Sequence, residues 1–201
     1  MTDKQLAYEI ARGIGETGVE GSYGSVSCST AGDYPSMGIS QWEGLGGRGD
    51  YLLSCIDGGD HFIGRTYSDI EAAGELEALA ALLESSQGQE AQNQILAADC
   101  LESYVPALLD AGLTNPRCII YAGIWCPTSH RVVSVFVGNR LKRGFDINDL
   151  QTLYELFYSQ YYIAADVGEM YKEGYQNRAN NTFNYVSALD LSQYGISPYT
   201  G

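Results

Sequence analysis

Positive charge is scarce in this chain. Eleven lysines and arginines stand against 25 aspartates and glutamates, a formal net charge of −14. Phosphate backbones would be repelled by such a chain, so nucleic acid is excluded as a partner. Histidine is scarcer still, with only His61 and His130. Ser129 adjoins His130, but adjacency in sequence does not make a nucleophilic triad. The five cysteines, at 28, 55, 100, 118 and 126, form no CxxC pair and no Cys/His ligand spacing. Neither zinc nor another metal or cofactor is therefore expected, and the thiols are expected buried and reduced in a protein made in a cytoplasm.

Long apolar runs are missing too. No stretch approaches the roughly 18 to 20 continuous apolar residues of a membrane helix, so no membrane insertion is expected. The N-terminal MTDKQLAYEIARG carries charges through its apolar part, unlike a secretory signal, and any action outside the cell would follow release by another route. Gly46-Gly47-Arg48-Gly49-Asp50 lacks the Gly-Lys-Ser/Thr ending of a phosphate loop. Asp57 to His61 lacks the ligand register of an EF-hand.

What is present is enough apolar material, 45% of 201 residues, to build one full core, and one domain over 1–201 is expected. Thr2 and Gln5 make a capping-box pattern, and Leu6, Ile10 and Ile14 then recur at four-residue intervals beside Ala7 and Ala11. This predicts a first helix that frays near Gly18, since glycine costs nearly 1 kcal/mol against alanine. Residues 21–50 carry glycine or serine at almost every second or third position, predicting a loop or a short irregular β-ribbon.

Tyr51 to Ile56 restart a helical pattern that Gly58-Gly59 stops. Ser68 and Glu71 read as a second capping box before Leu76, Leu79, Leu82 and Leu83. A helix over 87–112 is expected to kink or divide at Pro106. RCIIYAGIWC, apolar on all sides, predicts a central buried helix ended by Pro127. Val132 to Val137 has the β-branched composition of a strand, open to being overridden into helix. Asp146 reads as the cap of a helix over 147–162, and a last helix spans about 175–189. The fold class is thus mainly α with a small irregular β-ribbon.

Cutting a glycosidic bond needs a carboxylic acid to protonate the leaving oxygen, and usually a second carboxylate to activate water. Glu20, between Val19 and the Gly21-Ser22-Tyr23 turn, suits the acid, because partial burial at a helix exit raises a carboxyl pKa. Asp33, on a polar loop, suits the base. Gln41 and Trp42 are candidates to hold a sugar by hydrogen bonds and stacking, with Ser22, Tyr23, Ser36 and Arg48 as further substrate contacts. Glu16 and Glu43 are rival carboxylates.

These residues carry a family likeness. Glu20-Gly21-Ser22-Tyr23-Gly24-Ser25-Val26, then Ser36-Met37-Gly38-Ile39-Ser40-Gln41-Trp42-Glu43-Gly44, with Arg48 and Leu52-Leu53 beyond, resembles cell-wall glycosidases of phages and Gram-positive bacteria in the lysozyme-like superfamily, near its chitosanase-like branch. Gly-Ile-Ser-Gln also looks like a segment of goose-type lysozymes and lytic transglycosylases. Weaker likeness runs through Asp99–Ile124, Phe145–Leu150 and Tyr175–Arg178.

The resemblance implies a lysozyme-like α+β catalytic domain and an endolysin-type muramidase acting on peptidoglycan or a related amino-sugar polysaccharide. Glu20 matches the catalytic acid, and Gln41 and Trp42 match the cleft. The family's histidine after the tryptophan is replaced here by Glu43, and its acidic loop is shorter here. A transglycosylase route, a chitosanase, and a wall-binding protein without turnover are the alternatives.

Overall fold

A computed structural model describes residues 1–18 and 21–201. It is mainly helical with one small antiparallel sheet. The chain forms two compact units, one of Ile14–Leu96 and one of Met1–Gly13 with Ala97–Gly201.

Helix α1 spans Asp3–Thr17. Its capping box forms as the sequence predicts, with Thr2 N donating to Gln5 Oε1 at 2.8 Å and Gln5 N to Thr2 Oγ1 at 3.4 Å. Leu6, Ala7, Ile10, Ala11 and Ile14 are all buried. Gly18, at φ +63°, ends the helix in the left-handed conformation that glycine adopts without steric cost.

In the Ile14–Leu96 unit the glycine- and serine-rich stretch folds into strands β1 (Val26–Cys28), β2 (Pro35–Met37) and β3 (Trp42–Glu43). Val26 pairs with Met37 and Met37 with Trp42, so one face of the ribbon is apolar. Ser27, Ser36 and Glu43 share the other face, as the two-residue period of a strand requires. Helices α2 (Arg48–Ser54), α3 (Tyr67–Ala72) and α4 (Leu76–Glu84) follow, with Leu52, Leu53, Ile70, Leu79 and Leu83 forming the core. The cap of α3 is Thr66, whose side chain accepts from Asp69 N at 3.0 Å, rather than Ser68. Helix α5 (Ser86–Asp99) closes the stretch.

Pro106 neither divides nor breaks the helix that continues into α6 (Val105–Asp110). A π-helical turn at Cys100–Tyr104 precedes it. That wider turn moves aside the carbonyl on which a proline ring would otherwise press. Helix α7 (Pro116–Ile124) is the expected buried helix, with every residue from Arg117 to Ile124 inside. Asn115 caps it by accepting from Arg117 N at 3.0 Å. Pro127 does not end α7, which stops at Ile124, but sits in the first turn of α8 (Cys126–Lys142), where a missing N–H costs nothing. Extended Ser129 (φ −173°, ψ 107°) kinks α8 after that turn, and its Oγ accepts from Val132 N at 3.3 Å. The strand composition of Val132–Val137 yields to helix because Val133, Phe136 and Val137 fall on one helical face and are buried.

Helix α9 (Leu150–Leu156) starts three residues later than the sequence predicts. Asp149, not Asp146, is its cap, accepting from Thr152 N at 2.8 Å, while Asp146 accepts from Asn148 N in a turn of its own. A π-turn at Phe157–Tyr161, a short α10 (Tyr162–Ala164) and α11 (Lys172–Ala188) complete this unit. The Arg117 guanidinium caps the end of α11, donating to the carbonyls of Val186, Leu189 and Ser197. No helix among the described residues is long and apolar enough to cross a membrane.

Candidate functional site

Of the sequence-predicted catalytic pair, Glu20 lies outside the described residues. Gly15, in the last turns of α1, faces the Tyr23 ring so closely that a Cβ there would overlap it. Tyr23 is therefore turned inward, 7% exposed, and donates its hydroxyl to Asn93 Oδ1 at 2.9 Å. It acts as a packing and anchoring residue of the loop, not as an open face for substrate. Ser22 and Ser25 close that loop: Ser22 N donates to Ser25 Oγ at 2.9 Å, and the two hydroxyls lie 3.0 Å apart.

This loop runs beside the Gly38–Trp42 segment. Gly38 N donates to Ser25 O at 2.8 Å. A Cβ at Gly21, the residue that follows Glu20, would lie 3.1 Å from the Gly38 carbonyl. Gln92, fully buried on α5, braces the two stretches. Its Oε1 accepts from Ile39 N at 3.0 Å, and its Nε2 donates to Leu83 O at 2.9 Å and Tyr23 O at 3.3 Å. A buried amide satisfied on both ends specifies one arrangement of the segments it joins. Gln92 was not foreseen from the sequence. Its signal was a polar residue on the inner face that Gly88, Ile95 and Leu96 mark out along α5.

Gln41 stands in the left-handed region, φ +50°, ψ +45°, which costs a non-glycine residue about 1 kcal/mol. Ser36 is buried and secures this bend by donating Oγ to Gln41 O at 3.1 Å. Strained backbone of this kind is concentrated at functional sites. The Gln41 side chain is exposed while Trp42, next in the chain, is 5% exposed and paired with Met37. An amide-and-indole platform is thus not formed: the amide faces out, and the indole fills the core.

Asp33 is exposed and already engaged. Its Oδ1 accepts from both Ser68 N at 2.9 Å and Ser68 Oγ at 3.0 Å, tying the β1–β2 connection to the first turn of α3. Glu43, on the polar face of the ribbon opposite Ser36, accepts from Ser29 Oγ at 2.7 Å. Glu16 and Arg48 are exposed on α1 and at the start of α2.

A second polar cluster in this unit was not foreseen. His61 Nε2 lies 3.0 Å from Glu75 Oε1, and Arg65 pairs with Glu75 Oε2. Hydrogen bonds from Arg65 and then His61 hold the Glu75 carboxyl below its ordinary pKa. Among the described residues no group of histidine, cysteine, aspartate or glutamate is set to hold a metal.

The chain matches no family model, no curated protein and no solved structure. The site is therefore read from its own residues. Ile14–Leu96 contains thirteen acidic residues against Arg48 and Arg65 as its two cations, a formal −11 of the chain's −14. The field of such a unit attracts cationic ligands and repels anions.

Proposed function

We propose that this chain is a lysozyme-like glycoside hydrolase that cuts the glycan strands of peptidoglycan, with Glu20 as the proton donor. The observation that supports the reading is the Gln92 brace between Tyr23 and Ile39, with Gly21 so near the Gly38 carbonyl that a Cβ there would lie 3.1 Å from it. Residues 21–25, which follow Glu20 in sequence, lie beside the segment whose Gly-Ile-Ser-Gln-Trp sequence resembles a glycosidase cleft. A general acid of this kind contributes about 10²- to 10⁴-fold to the rate. Asp33 remains the proposed base, with Glu43 its rival because Asp33 spends one oxygen on Ser68.

The acidity of this unit favours a second reading, a chitosanase, since a polycationic glycan would be drawn to a unit of formal charge −11. Release of reducing ends from purified peptidoglycan and from chitosan separates the two. Glu20→Gln is expected to lower release on the true substrate by about 10²-fold or more with the unfolding midpoint unchanged. Asp33→Asn and Glu43→Gln then identify the base by which of them loses turnover. If neither does, and anhydro-sugar ends appear, the substrate's own hydroxyl attacks. Wild-type protein that binds walls and releases no sugar ends would overturn the enzymatic reading in favour of a glycan-binding protein.

A further inference from the structure

Within the unit formed by Met1–Gly13 and Ala97–Gly201, helix α8 inverts the charge of the chain. From Cys126 to Phe145 there is no aspartate or glutamate, while Arg131, Arg140, Lys142 and Arg143 all fall there. A cavity of about 410 Å³ opens along this helix, lined by Arg131, Val132, Val135, Phe136, Arg140 and Ala164 among others, none of them acidic. Val132 and Val135 are exposed at its wall.

Arg140 is the unusual residue. It is 9% exposed, and its guanidinium lies 4.6 Å from the centre of the Phe136 ring. Its Nε is cut off from solvent and meets no hydrogen-bond acceptor. Among the described residues no carboxylate pairs with it; burial lowers its pKa, and repulsion from Arg143 lowers it further. Arg117, also buried, shows the usual solution by spending its N–H groups on three carbonyls. A guanidinium whose Nε is buried and lacks an acceptor, whose remaining edge opens to the cavity beside a second arginine, is an arrangement that an anion completes.

We propose that this cavity binds an amphipathic oxyanion, a carboxylate or phosphate monoester whose head faces Arg140 and Arg131 and whose apolar tail lies along Val132, Val135 and Phe136. A guanidinium stacked on a ring keeps its N–H edge available, and that edge matches two oxygens of a carboxylate or phosphate. The volume suits a head with a short chain, not a polymer, since ligand pockets span about 300–1,000 Å³. The inference is independent of the glycosidase reading.

The test is titration calorimetry and thermal unfolding of the full chain with octanoate, octyl phosphate, inorganic phosphate and octanol. Octanoate and octyl phosphate, held below micelle formation, are expected to bind one saturable site and raise the melting temperature. Octanol and inorganic phosphate are each expected to bind about tenfold more weakly or less, because each offers half of the match. Arg140→Met is expected to lose about tenfold or more in affinity, the scale of one charge-assisted pair. Arg131→Gln, on an exposed residue, is expected to weaken binding in the same direction.

Should Arg140→Met fail to fold, Ala164→Trp at the exposed rim blocks the cavity and must abolish binding while circular dichroism stays native. Binding retained by the folded Arg140→Met or Ala164→Trp protein overturns the proposal. So does inorganic phosphate binding as tightly as octyl phosphate. Retention by phosphatidylglycerol vesicles without binding of monomeric octyl phosphate also overturns it, and makes α8 a membrane-facing helix instead.

Discussion

Gly38 is the residue at which the candidate site tolerates least change. Its φ of +70° and the approach of Gln92 Oε1 both demand glycine. Gly38→Ala is expected to lower stability by about 2–4 kcal/mol, combining left-handed strain with displacement of the amide. Gln92→Ala removes the obstacle but leaves Ile39 N, Tyr23 O and Leu83 O without their partner, at a cost of about 1–3 kcal/mol. Because the two residues meet, the double mutant is expected to lose less than the sum of the singles. Urea unfolding of all four proteins measures this, and strict additivity would refute the shared contact. The same scale explains what became of Trp42 and Tyr23. Each is a large apolar surface whose burial gives more than exposure to a ligand would, and the sequence does not reveal which way a strand residue points until its partners are known.

Among the elements, the caps decide where helices begin. Serine and aspartate at 68 and 146 have the right chemistry, but Thr66 and Asp149 hold the positions from which a side chain reaches the first free N–H groups. Thr66→Ala is expected to cost about 1 kcal/mol. Ser68→Ala leaves the backbone bond to Asp33 in place and is expected to cost no more than about 0.5 kcal/mol. Chemical denaturation of the two variants distinguishes them, and the reverse ranking would restore Ser68 as the cap. Helix α8 shows the opposite limit of local information. Its valines favour a strand by composition, yet burying Val133, Phe136 and Val137 together requires the helical spacing.

Across the whole molecule, burial sorts the five cysteines. Cys28 and Cys55 are exposed, and Cys100, Cys118 and Cys126 are buried, so the expectation of uniformly buried thiols holds for three of them. Burial raises the pKa of each inner thiol, that of Cys118 to about 12. Thiolate is the reactive form, so those three are protected both by exclusion of reagent and by protonation. A disulfide-exchange reagent at neutral pH is expected to titrate two thiols in the native protein and five in denaturant. Rapid native reaction of more than two would contradict this packing. Charge is sorted as well, with thirteen acidic residues in Ile14–Leu96 and the cationic stretch in α8.

Helix positions, the capping box at Thr2, the end of α1 at Gly18 and the burial of α7 could all be read along the chain. Each rests on contiguous residues: a repeat of three to four positions, a side chain reaching its own helix, a glycine that breaks it. The partners in space could not be read. Asp33 answers to Ser68, Ile39 to Gln92 and Arg117 to Ser197, and nothing in one segment specifies a distant one with which it competes to bury surface and satisfy polar groups. That competition turned Trp42 inward, bent Gln41 into a strained conformation and left Arg140 Nε without an acceptor.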